Sequence, residues 1–179
     1  MQPVQRYPNL FCFIHWATVA LIAIIYGLTY ARFLFERGTP LRAMVWWLHI
    51  SFGLVLLAFI VARVVARHAM TMPGPSAALS PLVHRASQAV HVLLYALLVL
   101  TPVVGVYLAF LRGDAVTLFG LFTIPSPVAV DRTFARQVVE VHEWLANGLV
   151  AVALVHGAAA IGHHFVLKDD VLTRMLPRR

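Results

Sequence analysis

His142 and His156 stand fourteen residues apart in one apolar stretch near the C-terminus. Imidazole is both a metal ligand and a proton carrier, and ionisable side chains inside apolar spans are costly and usually functional. At about 100° per residue, fourteen steps return to within roughly 40° of the same helix face, with the rings roughly 21 Å apart along the axis. Two more histidines, His15 and His49, fall near the starts of two other apolar stretches. Four imidazoles at two depths form a ligand set for two stacked metal centres. Zinc gathers its ligands tetrahedrally around one ion, and the axial separation of His142 and His156 forbids that. A bis-histidine haem needs only two imidazoles, supplied by facing helices of a bundle. The single cysteine, Cys12, excludes an intramolecular disulfide, and no Cys-x-x-Cys-His occurs, so any haem is non-covalent and b-type. The chain also has no Gly-x-Gly-x-x-Gly after a strand pattern, hence no dinucleotide domain of its own.

The elements that position these residues must be membrane helices. The chain has 179 residues, 61% hydrophobic and 12% charged, where a soluble domain carries about 25% charged residues. Residues 7–31, 43–62, 86–111 and 144–167 contain no Lys, Arg, Asp or Glu, and each reaches the roughly 20 residues that cross the hydrocarbon core. The expected fold is an all-α integral membrane protein: one domain, 1–179, forming a four-helix transmembrane up-down bundle that encloses two b haems. Its helices are expected near 9–31, 43–66, 81–111 and 136–167. Residues 115–130 are uncharged but shorter, and Pro125 and Pro127 make them a loop. The first segment follows Arg6 like a signal peptide, but its length and His15 make it a retained helix. Ser80-Pro81 starts the third helix, Pro102 and Gly105 bend it, and Pro73-Gly74-Pro75-Ser76 is a loop. Trp46, Trp47 and Trp144 suit an interfacial belt.

Four spans place both termini on one side. That side holds Arg6, Arg63, Arg67, Arg85, Lys168, Arg174, Arg178 and Arg179, against Arg32, Arg37, Arg42, Arg112, Arg132 and Arg136 on the other. The excess of basic residues predicts cytoplasmic termini. His49 and His142 then share the outer depth, and His15 and His156 the inner. Leu145, Ala146, Leu149 and Ala153 lie between the two helix-four histidines, and Gly53 one turn after His49 leaves room for a flat macrocycle. His91 can replace one of the four ligands or donate to a haem propionate, the second role being favoured, while His68 and His84 read as solvated. His163 and His164, with Lys168 beyond, suit hydrogen bonding to a quinone carbonyl and proton delivery during its reduction.

These residues resemble a known family. His15-Trp16, His49-x-x-x-Gly53, His91 with Tyr95, Pro102 and Gly105, His142-Glu143, His156, and His163-His164-Phe165 followed by Lys168-Asp169 look like the bacterial cytochrome b(561) family. That family is related to the di-haem cytochrome b subunits of nickel-iron hydrogenases and formate dehydrogenases. The resemblance covers essentially the whole chain, departing at Val141, where the family often has Trp. It implies two b haems and electron exchange with membrane quinone in the bacterial inner membrane. The short chain without appended domains looks like the superoxide oxidase branch, which oxidises periplasmic superoxide and reduces ubiquinone. Outer arginines such as Arg32, Arg37 and Arg132 would then concentrate the anion.

The expected partners are the lipid bilayer, ubiquinone and superoxide, and no nucleic acid. A competing reading is a membrane-anchor subunit passing electrons between a peripheral redox partner protein and quinone. A third is a haem-free bundle acting as a transporter or metal carrier.

Overall fold

The computed structural model describes residues 6–74, 76 and 79–177; Pro75 of the expected loop and Arg178 and Arg179 of the charge count lie outside them. Among the described residues four helices are long and apolar enough to cross a membrane. They are α1 (Asn9–Ala31), α2 (Pro40–Ala69), α3 (Pro81–Arg112) and α4 (Arg132–Gly162). Helix α2 thus runs past Arg63 and Arg67, and α4 begins well before the uncharged stretch at residue 144.

Each start has a local cause. Thr39 and Ser80 cap α2 and α3, accepting from the amides of Arg42 and Val83, and each precedes a proline at the first helical position. Asp131 caps α4 with one carboxylate oxygen that accepts from the amides of Thr133 (3.0 Å) and Phe134 (2.9 Å). Its negative charge also complements the helix N-terminus. Helix α3 ends at Gly113, whose φ of 77° is the left-handed conformation that lacks a steric penalty only in glycine. Asp131→Ala is expected to cost about 1 kcal/mol, read as a lower thermal midpoint in detergent, with Asp131→Asn recovering most of the loss.

The helices pack as two antiparallel hairpins, α1 against α2 and α3 against α4, joined mainly through α2 and α3. Among the described residues α4 makes no more than isolated close backbone approaches to α1 or α2. The backbones of the two hairpins therefore stand apart on this side, leaving a gap between them that side chains line. Halfway along it, Leu21, Leu56, Ile60, Leu98 and Leu149 come together from all four helices. Leu149 lies midway between His142 and His156 in sequence, so this apolar layer divides the gap into two levels, named outer (His142) and inner (His156) after the expected orientation.

The segment after α3 forms a short antiparallel hairpin, Val116–Thr117 against Thr123–Ile124. It packs on the outer half of α2. The fully buried Ser51 donates to the Thr117 carbonyl (2.9 Å) and accepts from the Phe119 amide (3.1 Å). Phe119 also meets the ring edges of Trp47 and Phe52.

Candidate functional site

At the outer level α2 presents His49 and α4 presents His142, with ring centres 6.3 Å apart and planes at 80°. His49 Nδ1 lies 3.2 Å from the Ile25 carbonyl and His142 Nδ1 lies 3.1 Å from the Thr101 carbonyl. A carbonyl only accepts, so each Nδ1 carries the proton and each Nε2 keeps a bare lone pair. That is the ligating tautomer. With a metal–imidazole bond of about 2 Å and roughly 1 Å more from nitrogen to ring centre, two ligands of one ion stand about 6 Å apart. The observed spacing fits.

The surroundings fit as well. A Cβ on Gly105 would fall 2.8 Å from His142 Cε1, so only a glycine lets α3 receive this ring. On α2, a Cβ on Gly53 would meet nothing within 4 Å, leaving room beside His49. Two buried polar atoms lack a hydrogen-bond partner among the described residues: Thr101 Oγ1 and Arg32 Nε. The Arg32 guanidinium lies over Trp46 at 5.2 Å, and Trp46 meets His49 edge-on at 5.5 Å. An unsatisfied buried arginine donor beside the pair suits an acidic cofactor periphery such as a haem propionate.

The inner level is built differently. His156 on α4 meets His91 on α3, with ring centres 5.1 Å apart. His15 on α1 instead faces Arg63, whose Nη1 is 2.8 Å from His15 Nδ1, while Arg63 Nε donates to the Tyr95 hydroxyl at 2.9 Å. The Arg63 charge acts on His15, His91 and His156 alike. The sequence therefore paired His15 with His156 by depth, and the structure places His91 directly against His156 and an arginine against His15.

Below this level α4 continues into one π-helical turn, His163–Leu167, and Lys168 reverses the chain in a left-handed conformation. The turn aims His163 Nδ1 at the Asp169 carboxylate, with which it pairs. His164 packs edge-on against Phe165. The tail then folds under the bundle: Asp170 accepts from Ser76, the Tyr7 amide donates to the Arg174 carbonyl, and Trp16 Nε1 donates to the Met175 carbonyl. His163, His164 and Asp169 thus belong to a fixed end of the bundle, not to a frayed terminus.

Two contributors escaped the reading of the sequence. Gly105 had been assigned only to a bend in α3, whereas it seats His142. Arg63, counted with the basic residues on the side of the termini, is 8% exposed inside the bundle. The signal was present. Arg63 follows His49 by fourteen residues, the interval that relates His142 to His156, so it occupies the same face of α2 one site further in.

A membrane-spanning bundle whose facing helices carry paired histidines in a divided gap defines a membrane b-type cytochrome. The chain belongs to the prokaryotic cytochrome b561 family, whose model matches residues 6–178. It is 32% identical over 174 residues to cytochrome b561 homolog 2 of Escherichia coli (strain K12), covering 96% of this chain and 92% of that protein. It is 24% identical over 176 residues to cytochrome b561 homolog 1 of the same organism, covering 98% and 99%. It is 28% identical over 176 residues to the probable superoxide oxidase CybB of Yersinia pestis, covering 98% of each chain. Family membership makes this a multi-pass membrane protein that carries b-type haem and transfers electrons.

Proposed function

We propose that the protein binds two b haems and oxidises superoxide at the outer face while reducing ubiquinone at the cytoplasmic face, with both termini cytoplasmic. The observation that carries the reading is the His49–His142 pair, two imidazoles with bare Nε2 atoms and ring centres 6.3 Å apart. His15 and His156 are the ligands proposed for the inner haem, because α1 stands apart from α4 and reaches it through the Tyr26–Asn147 hydrogen bond, whereas α3 is packed against α4. The 5.1 Å between His91 and His156 is also too short for ligands on opposite sides of one iron. His91 is left beside that pair in a supporting role. Coordination by His15 Nε2 requires Arg63 to release its Nδ1, freeing the guanidinium for an anion. Bound at these positions, b haems supply one-electron carriers between the two membrane faces.

The chain's own residues serve the two ends. Two superoxide ions lose one electron each and leave as dioxygen; one quinone takes both electrons and two protons to become a quinol. On the outer side Arg112, Arg132 and Arg136, with Asp114 paired to Arg112, line a hollow of about 430 Å³, whose net positive charge draws a small anion toward the surface above His142. At the other end His163, held at Nδ1 by Asp169, offers Nε2 to a quinone oxygen and passes on a proton. The π turn that ends α4 aims that ring. The likeness to a protein named as a probable superoxide oxidase supports the choice of donor.

The test is stopped-flow mixing of the purified protein with superoxide and a soluble ubiquinone. Quinol should form in a 1:2 ratio to superoxide consumed. His163→Ala should slow quinol formation at least tenfold with the haem absorption unchanged. Haem reduction no faster than with free haem would remove superoxide as donor and favour an anchor subunit served by a redox partner protein.

A further inference from the structure

Where α4 repeats a histidine at the inner level, α2 places a guanidinium. Arg63 carries a charge that protein environments do not remove, and it forms no ion pair among the described residues. Its neighbours are the Tyr95 hydroxyl, a ring nitrogen of His15, and the aromatic faces of Phe11 and Tyr95. A permanent charge so deep is costly, which marks it as functional, and it acts through a low local dielectric. The outer level has only a weaker counterpart, Arg32, which is half-buried where Arg63 is 8% exposed. Arg32 acts on His49 and Glu143 acts on His142, charges of opposite sign, and Glu143 is exposed to solvent. Moreover, His49 and His142 donate Nδ1–H to carbonyls, which strengthens an imidazole as an electron donor to metal.

We infer that Arg63 biases the electron toward the inner site, its buried positive charge making that site the more oxidising of the two. The inference rests on the two-haem reading above. A positive charge beside a metal centre favours the reduced form, which carries one positive charge fewer. Backbone acceptors on Nδ1 at the outer level favour the oxidised form there. Both effects point the same way, so electrons that enter at the outer face move downhill to the quinone end. A cofactor carboxylate paired with Arg63 leaves the sign unchanged, because removing the guanidinium then exposes an uncompensated negative charge.

Potentiometric titration of the haem-loaded protein, followed by absorbance, tests this. The wild type should titrate in two steps, the higher belonging to the haem lost in His156→Ala. R63Q should weaken reduction at that haem tenfold or more, about 59 mV for one electron, and narrow the interval between steps. R63K, which keeps the charge, should retain most of the interval; R32Q should lower the outer step and widen it. An inner step at or below the outer one in the wild type, or an inner step unmoved in R63Q, overturns the inference. Should R63Q fail to retain the inner haem, R63K decides: an inner step falling to the outer one in that variant also overturns it. A preparation without any haem would instead remove the haem reading itself.

Discussion

His142→Ala is expected to halve the bound haem, removing the outer haem and leaving the inner one. The ligand face supports a clean loss. His142 is fixed by Thr101 on one side and seated on Gly105 on the other, and no other histidine stands near enough to His49 to replace it. His49→Ala should remove the same haem, because a b haem is held by no covalent tether and depends on both axial bonds. His156→Ala should remove the other haem. The inner level adds a sharper comparison: His15→Ala should abolish the inner haem, whereas His91→Ala should leave both haems in place with a shifted spectrum. Haem-to-protein ratios and reduced absorption spectra of the purified variants read each outcome. If His142→Ala and His156→Ala lose the same haem, the two-level arrangement is wrong. If His91→Ala empties the inner site and His15→Ala does not, the inner ligands are His91 and His156.

The second large effect is expected from the smallest change. Gly105→Ala adds one methyl group, placed 2.8 Å from His142 Cε1, closer than carbon atoms pack. The imidazole cannot swing aside without giving up the Thr101 carbonyl, and α3 at this point follows Pro102 and is packed along α4. Overpacking of this kind costs roughly 1–3 kcal/mol. Here the strain falls on a ligand, so the outer haem should bind more weakly and its absorption should broaden or vanish, while the inner haem is untouched. Gly27→Ala is the matched control. It also lies within a helix, a Cβ there meets nothing within 4 Å, and alanine is the better helix former by about 1 kcal/mol. Normal outer-haem content in Gly105→Ala would show that the ring does not sit against α3.

The membrane bundle was legible because charge exclusion over twenty residues is a strong signal, and the histidine depths followed from counting. What the sequence left open was geometry between helices. Depth pairing says which residues share a level, but it cannot say that α3 packs on α4 and brings His91 to His156, or that a gap lies between the hairpins. Arg63 was misplaced for a physical reason: a charge after an uncharged run reads as a span boundary, yet a long flexible side chain on the right face can turn inward and satisfy its donors on a tyrosine and a histidine. Gly105 was legible as a helix weakness, not as a seat, since the ring it receives comes from thirty-seven residues downstream. Asp169 is similar. Its role depends on a π turn that brings it back onto His163.

The haem content of the purified chain tests the central claim most directly. Two non-covalent b haems per chain are predicted, extractable by acid acetone and visible as two components in the reduced spectrum. A chain that purifies folded with no haem, or with one, would contradict the account.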